Sequence, residues 1–148
     1  YAQQFALARS IEQARVQIAT ALAEADKIHS AIDVRSKNGE GAVAAALSAA
    51  DQQLLAVSDL QPPKRSPDST GRPPRTVAGL RYLGTAFHDL ARAVDGADAA
   101  PTPDALQGYT KHRALLDHAL AGWAAFKTTV LSQLNTQLQA QGDAPIAP

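Results

Sequence analysis

The chain of 148 residues has no cysteine and no methionine. Without cysteine it forms no disulfide, offers no thiolate to a metal and has no sulfur nucleophile. It has only three glutamates, Glu12, Glu24 and Glu40, and none stands three residues before a histidine. That excludes the Glu-x-x-His pattern with which ferritin-like bundles hold a di-metal centre. Aromatic residues make up 5 %, which argues against a β-sandwich core built on aromatic and β-branched side chains. No apolar run approaches the ~20 residues of a membrane-spanning helix. The phosphate-cradling GxxxxGK[ST], the dinucleotide-binding GxGxxG and the GxSxG nucleophile elbow are all missing. Fourteen basic side chains balance fourteen acidic ones, so no general pull toward nucleic acid or an anionic membrane exists. The chain opens at Tyr1 without an initiator methionine and already in a helical pattern. It is therefore expected to be a piece of a longer protein, any targeting segment having been removed.

What is present is helical periodicity. Leu7, Ile11, Ala14, Ile18, Ala21, Ala25, Ile28 and Ile32 alternate steps of four and three, the stripe of one helix face. Val16 and Leu22 widen it. Asn38 and Gly39 are expected to stop this helix in the left-handed conformation. Val43, Leu47, Ala50, Leu54 and Val57 form a second stripe, closed by Pro62 and Pro63. Thr76 is the expected cap of a third helix, whose stripe is Val77, Leu80, Leu83 or Gly84, Phe87, Leu90 and Val94. The fourth start is the most legible: Thr102 caps, Pro103 suits the first helical position and Asp104 favours the positive end of the helix dipole. Its stripe runs Tyr109, His112, Leu116, Leu120, Trp123, Phe126 or Lys127, Val130, Leu134 and Leu138, until Gly142. The tail DAPIAP is expected to be irregular.

The reading is an all-α domain spanning 1–148, with helices near 2–36, 41–60, 76–95 and 103–141. Four amphipathic stripes close most simply as an up-down-up-down four-helix bundle. The first and last helices are long, a Pro-rich loop joins the second to the third, and both chain ends are expected at one end of the bundle. The abundance of alanine lets such helices approach closely.

Two groups of residues are candidate sites. The loop QPPKRSPDSTGRPPR, residues 61–75, carries five of the nine prolines and four basic side chains, Lys64, Arg65, Arg72 and Arg75. It reads first as a long connection and second as a loop binding an anion or a protein partner. It has no interleaved aromatics, so it is no stacking platform for bases. Tyr109, His112 and Trp123 share the fourth stripe and could line a pocket between helices, although core positions explain them more simply. His29, Asp33 and Asp26 share a helix face, a geometry that can bind a metal but is more often ordinary surface. No catalytic residue, metal ligand or cofactor is assigned. Glycoside hydrolysis needs two carboxylates about 5 to 9.5 Å apart on one cleft, and the spacing of these acids does not promise that.

Several phrases look familiar in this order: QQFALARSIEQAR, ALAEADKIHSAI, LLAVSDLQPP, then GRPPRTVAGLRYLGTAFHDLARAVDGADAAPTPDA and a leucine-spaced helix ending LNTQLQAQGDAPI. Together they resemble the C-terminal helical region of bacterial BNR-repeat proteins, which are sialidase- or sortilin-like β-propellers often labelled glycosyl hydrolases. The resemblance implies an exported protein, periplasmic or extracellular, whose propeller precedes residue 1. It carries no catalytic residue onto this chain. The expected function is that of a non-catalytic accessory or interaction domain, with its own propeller, another chain or a second copy of itself as partner. The alternative is a sensor-type bundle that binds a small ligand.

Overall fold

The computed structural model of the chain describes residues 2–60, 79–96 and 100–148. Among these the architecture is all-helical, a bundle of four helices. They are α1 (Ala2–Ser36), α2 (Gly41–Ser58), α3 (Leu80–Asp95) and a fourth made of α4 (Pro103–Ala125), a π-helical stretch (Phe126–Leu131) and α5 (Ser132–Ala140). The basic residues Lys64, Arg65, Arg72 and Arg75, with Thr76 and Val77, lie outside the described residues.

All eight residues of the α1 stripe are buried. So are Val43, Leu47, Ala50 and Leu54 of α2, and Leu80, Leu83, Phe87 and Val94 of α3. Together with Leu116, Trp123, Leu134 and Leu138 they join one continuous core. Two of the smaller expectations fail. Val16 is 57 % exposed, because it sits half a helix turn away from the stripe. Val57 is only half-buried, and the next residue, Ser58, is fully buried instead. Its hydroxyl donates to the carbonyl of Leu54 at 2.7 Å, which removes the cost of hiding it.

The path through the bundle departs from simple alternation. Along α1, Gln4 bonds the carbonyl of Val94 and Ile18 touches Gly84, so α3 runs antiparallel beside its first half. His29 bonds Asp51, so α2 runs antiparallel beside the second half. Between them, Gly79 abuts Asp59 and Arg81 donates to the carbonyl of Leu60. α3 therefore begins where α2 ends and continues in the same direction. At 1.5 Å per residue α1 is about 52 Å long, α2 about 27 Å and α3 about 24 Å, so the two short helices laid end to end match the long one. The fourth helix runs parallel to α1: Arg113 bonds Gln17, and Trp123 and Lys127 bond Glu24. In cross-section the bundle is three rods thick, with α2 and α3 sharing the middle rod. The N-terminus and the end of α5 consequently lie at opposite ends, not at the same end.

Helix ends follow local chemistry, with two corrections. Thr102 accepts a bond from the amide of Ala105 at 3.2 Å and Pro103 opens α4, as expected. α3 is capped by Gly79 rather than Thr76. After α1 the positive-φ residue is Gly41 (φ 63°), not Asn38 or Gly39. α5 ends in a Schellman arrangement around Gly142 (φ 82°), whose amide bonds the carbonyl of Gln139 while that of Asp143 bonds Leu138. α2 ends at Asp59 with φ 54°, its amide bonding Leu55 at 2.8 Å.

The π-helical stretch shifts the inner face. A π turn holds an extra residue, so the fully buried position after Phe126 is Leu131, and Val130, expected on the stripe, is half-buried. The tail is without helix, as expected, yet it is anchored. Ile146 is buried, and the Asn135 side chain closes a two-bond ring on its backbone: Nδ2 donates to its carbonyl at 2.8 Å and Oδ1 accepts from its amide at 2.7 Å. Arg35 adds a bond to the carbonyl of Ala144 at 3.1 Å.

Two substitutions test these joints. A Cβ placed on Gly79 would collide with Cβ of Asp59. Gly79→Ala should therefore lower unfolding stability by about 1–3 kcal/mol through overpacking, read by urea denaturation. Asn135→Ala leaves the Ile146 amide and carbonyl without their partner. It should cost about 1–3 kcal/mol and speed amide exchange at Ile146 more than in the core of α1.

Candidate functional site

Tyr109, His112 and Trp123 do not converge on one pocket. Tyr109 and His112 both stand edge-on to Phe87, each with ring centroids 6.2 Å away. Nδ1 of His112 donates to the carbonyl of Gly108 at 2.8 Å, which assigns the proton to Nδ1. The ring is half-buried in the α3–α4 contact and behaves as a packed, hydrogen-bonded histidine. Tyr109 also borders a shallow depression of about 590 Å³ with Glu12, Gln13, Val16, Gln17 and Arg113. Trp123 lies about four turns further along the helix, in an adjoining groove of about 320 Å³ between α1 and the fourth helix that shares Val16 and Gln17 with the first.

That second groove holds the most developed polar cluster among the described residues. Glu24 Oε2 accepts from Trp123 Nε1 at 3.0 Å and from Lys127 Nζ at 2.8 Å. Trp123 stacks on Phe126 with the rings 9° from parallel and 5.2 Å apart. Lys127 stands 5.7 Å from the Trp123 ring centre, within cation–π reach. The Lys127 hydrogen bond, then that from Trp123, hold the Glu24 carboxyl below its ordinary value of 4.5; partial burial works the other way, and the Lys127 charge adds to the lowering. The i, i+4 spacing of Trp123 and Lys127 sets both donors over one acceptor on α1. Sequence reading placed Trp123 on the inner stripe but missed Glu24, because nothing in a linear sequence marks a partner 99 residues away.

The histidine–carboxylate face of α1 is divided among different partners. Nδ1 of His29 donates to Asp51 on α2 at 2.6 Å. Asp33 pairs with Lys37 at 3.2 Å. No group of three or more histidine and acidic side chains able to hold a metal occurs among the described residues. Every buried side-chain nitrogen or oxygen there has a hydrogen-bond partner. No described helix is long and apolar enough to cross a membrane.

None of the protein-family models, curated proteins or solved structures compared with the chain matches it.

Glu24→Gln tests the cluster. The folded-state carboxyl is held low, so its stabilisation is fully present above about pH 4.5 and is lost as pH falls through the lower folded value. At neutral pH the variant should be about 1–3 kcal/mol less stable. The gap from wild type should close as urea titrations are repeated below pH 4.5.

Proposed function

We propose that this chain is a non-catalytic helical interaction domain. The observation that carries the reading is where its chemistry-bearing side chains are spent. Glu24 joins α1 to the fourth helix, His29 and Asp51 join α1 to α2, Arg113 reaches Gln17, and Asn135 clamps the tail. These polar groups act as cross-braces between elements. A rigid scaffold braced in this way presents surfaces rather than a cleft.

The resemblance to the helical ends of bacterial BNR-repeat proteins supplies the context of the proposal. In that context the bundle accompanies an exported β-propeller and docks on it, on another exported chain or on a second copy. The docking partner is a protein surface rather than nucleic acid. The loop residues Lys64, Arg65, Arg72 and Arg75 belong to the proposal as a secondary contact for an acidic partner. A small-ligand sensor is the second reading, favoured by the depression beside Tyr109 with Arg113 and Glu12 on its rim.

Three assays separate these readings. The purified chain should hydrolyse no member of a broad glycoside panel and show no shift in melting temperature across a library of small polar metabolites. It should bind the upstream propeller segment or another protein. Enzyme-like turnover would sink the accessory reading, and a saturable thermal shift lost on Arg113→Ala would move the assignment to a sensor.

A further inference from the structure

The back of α1, away from the core, carries a second stripe: Phe5, Arg9, Glu12, Val16, Ala19 or Thr20, Ala23, Lys27, Ser30 and Val34, again in steps of four and three. All are exposed. Phe5 is 71 %, Val16 57 % and Val34 59 % exposed, three of the five large apolar side chains most exposed among the described residues. At 100° per residue Phe5, Val16, Ala23 and Val34 fall within about 20° of one another. The steps of four and three shift register once, at Ala19 and Thr20, so the stripe stays on one side of a straight helix, apolar residues interspersed with charged and polar ones.

We infer that two copies of this chain pair through this face, α1 against α1, antiparallel about a two-fold axis near Ala19 and Thr20. The stripe is complementary to its own reversal. Pairing Phe5 with Val34 of the second copy also sets Val16 against Ala23, Ala19 against Thr20 and Glu12 against Lys27, and the symmetry repeats each contact. Apolar residues meet apolar or small ones, and the acid meets the base. Arg9 falls beside Ser30, one turn from Asp26 and Asp33. A parallel pairing in register would instead stack Arg9 on Arg9, Glu12 on Glu12 and Lys27 on Lys27. A slip of one heptad in one direction puts Glu12 against Val34 and Lys27 against Ala19; in the other, Arg9 meets Ala23 and Glu12 meets Thr20. Charge complementarity thus selects one orientation and one register.

The two charges are available for this. Among the described residues Glu12 is engaged only by Arg15 on its own helix, at 2.9 Å on the exposed surface, and Lys27 reaches the Pro148 carbonyl at a long 3.5 Å. A face about 52 Å long and 10 Å wide offers about 500 Å² per copy. The total of about 1,000 Å² stands at the lower edge of specific interfaces, which fits a reversible dimer with a Kd on the order of 10–100 μM.

This inference rests on the reading of the chain as an interaction domain, and the experiment separates the two. Sedimentation equilibrium should show the mass rising with concentration from 15.5 kDa toward twice that value. Glu12→Lys and Lys27→Glu should each weaken the dimer more than about tenfold, and the double variant E12K/K27E should restore it, with unchanged circular dichroism throughout. Because the chain has no cysteine of its own, orientation can be read by cross-linking. Under air oxidation, with oxygen as the electron acceptor, Val16→Cys mixed with Ala23→Cys should form the mixed disulfide, while Val16→Cys alone should not. A wild-type chain that stays monomeric at millimolar concentration overturns the pairing, as does a dimer indifferent to both charge reversals or one in which Val16→Cys cross-links to itself. A monomer that binds the upstream segment sinks the self-pairing and keeps the docking role. A charge-dependent dimer that turns over glycosides keeps the self-pairing and sinks that role.

Discussion

One unbroken stripe on α1 governs the whole arrangement. Eight side chains from Leu7 to Ile32 are buried along most of the helix, and a buried stripe of that length must be covered along all of it. Neither α2 nor α3 is long enough. The two together are, provided that one starts where the other stops. The contact of Gly79 with Asp59 makes that possible, because only a residue without a side chain lets the two helix ends come so close. Stacking α2 under α3 then leaves the fourth helix to run parallel to α1. The three-rod cross-section and the separation of the chain ends both follow.

Alanine makes the rods fit. Ala14, Ala21 and Ala25 on α1 and Ala50 on α2 are almost completely buried, and small side chains at the seam let backbones approach. Close approach brings the polar braces within reach. Glu24 bonds Trp123 and Lys127 across the α1 seam, and His29 meets Asp51 at 2.6 Å. Such bonds add direction to a core that is otherwise mostly aliphatic. They fix which turn of α1 faces which turn of its neighbour, since a slip by one turn would leave a half-buried charge unpaired.

The same helix has a second, outward stripe that the core does not use. A helix that serves only one core needs one apolar face. The exposed Phe5, Val16 and Val34 lie on that outer side, with Glu12 and Lys27 between them. An accessory domain whose inward face holds a bundle together and whose outward face meets a copy of itself would use both sides of one helix. The inner side is closed by apolar burial and the outer side is selected by charge.

The helices and their inner faces were legible in the sequence, since α-helical periodicity is local. The stripe of α1 was read residue for residue, as were the start of α4 at Thr102 and Pro103 and its stop at Gly142. What the sequence by itself determined is an all-helical bundle with its seams. Tertiary structure alone decided how those seams meet. It set α2 and α3 end to end, drew Glu24 to Trp123 and Asn135 to Ile146, kept Tyr109 and Trp123 in adjoining grooves and moved the buried position from Val130 to Leu131. The reason is physical. A stripe records that a face is buried but not against what, and four stripes can be satisfied by more than one path. The choice among paths depends on helix lengths, on one close approach at a glycine and on bonds between residues far apart in the chain.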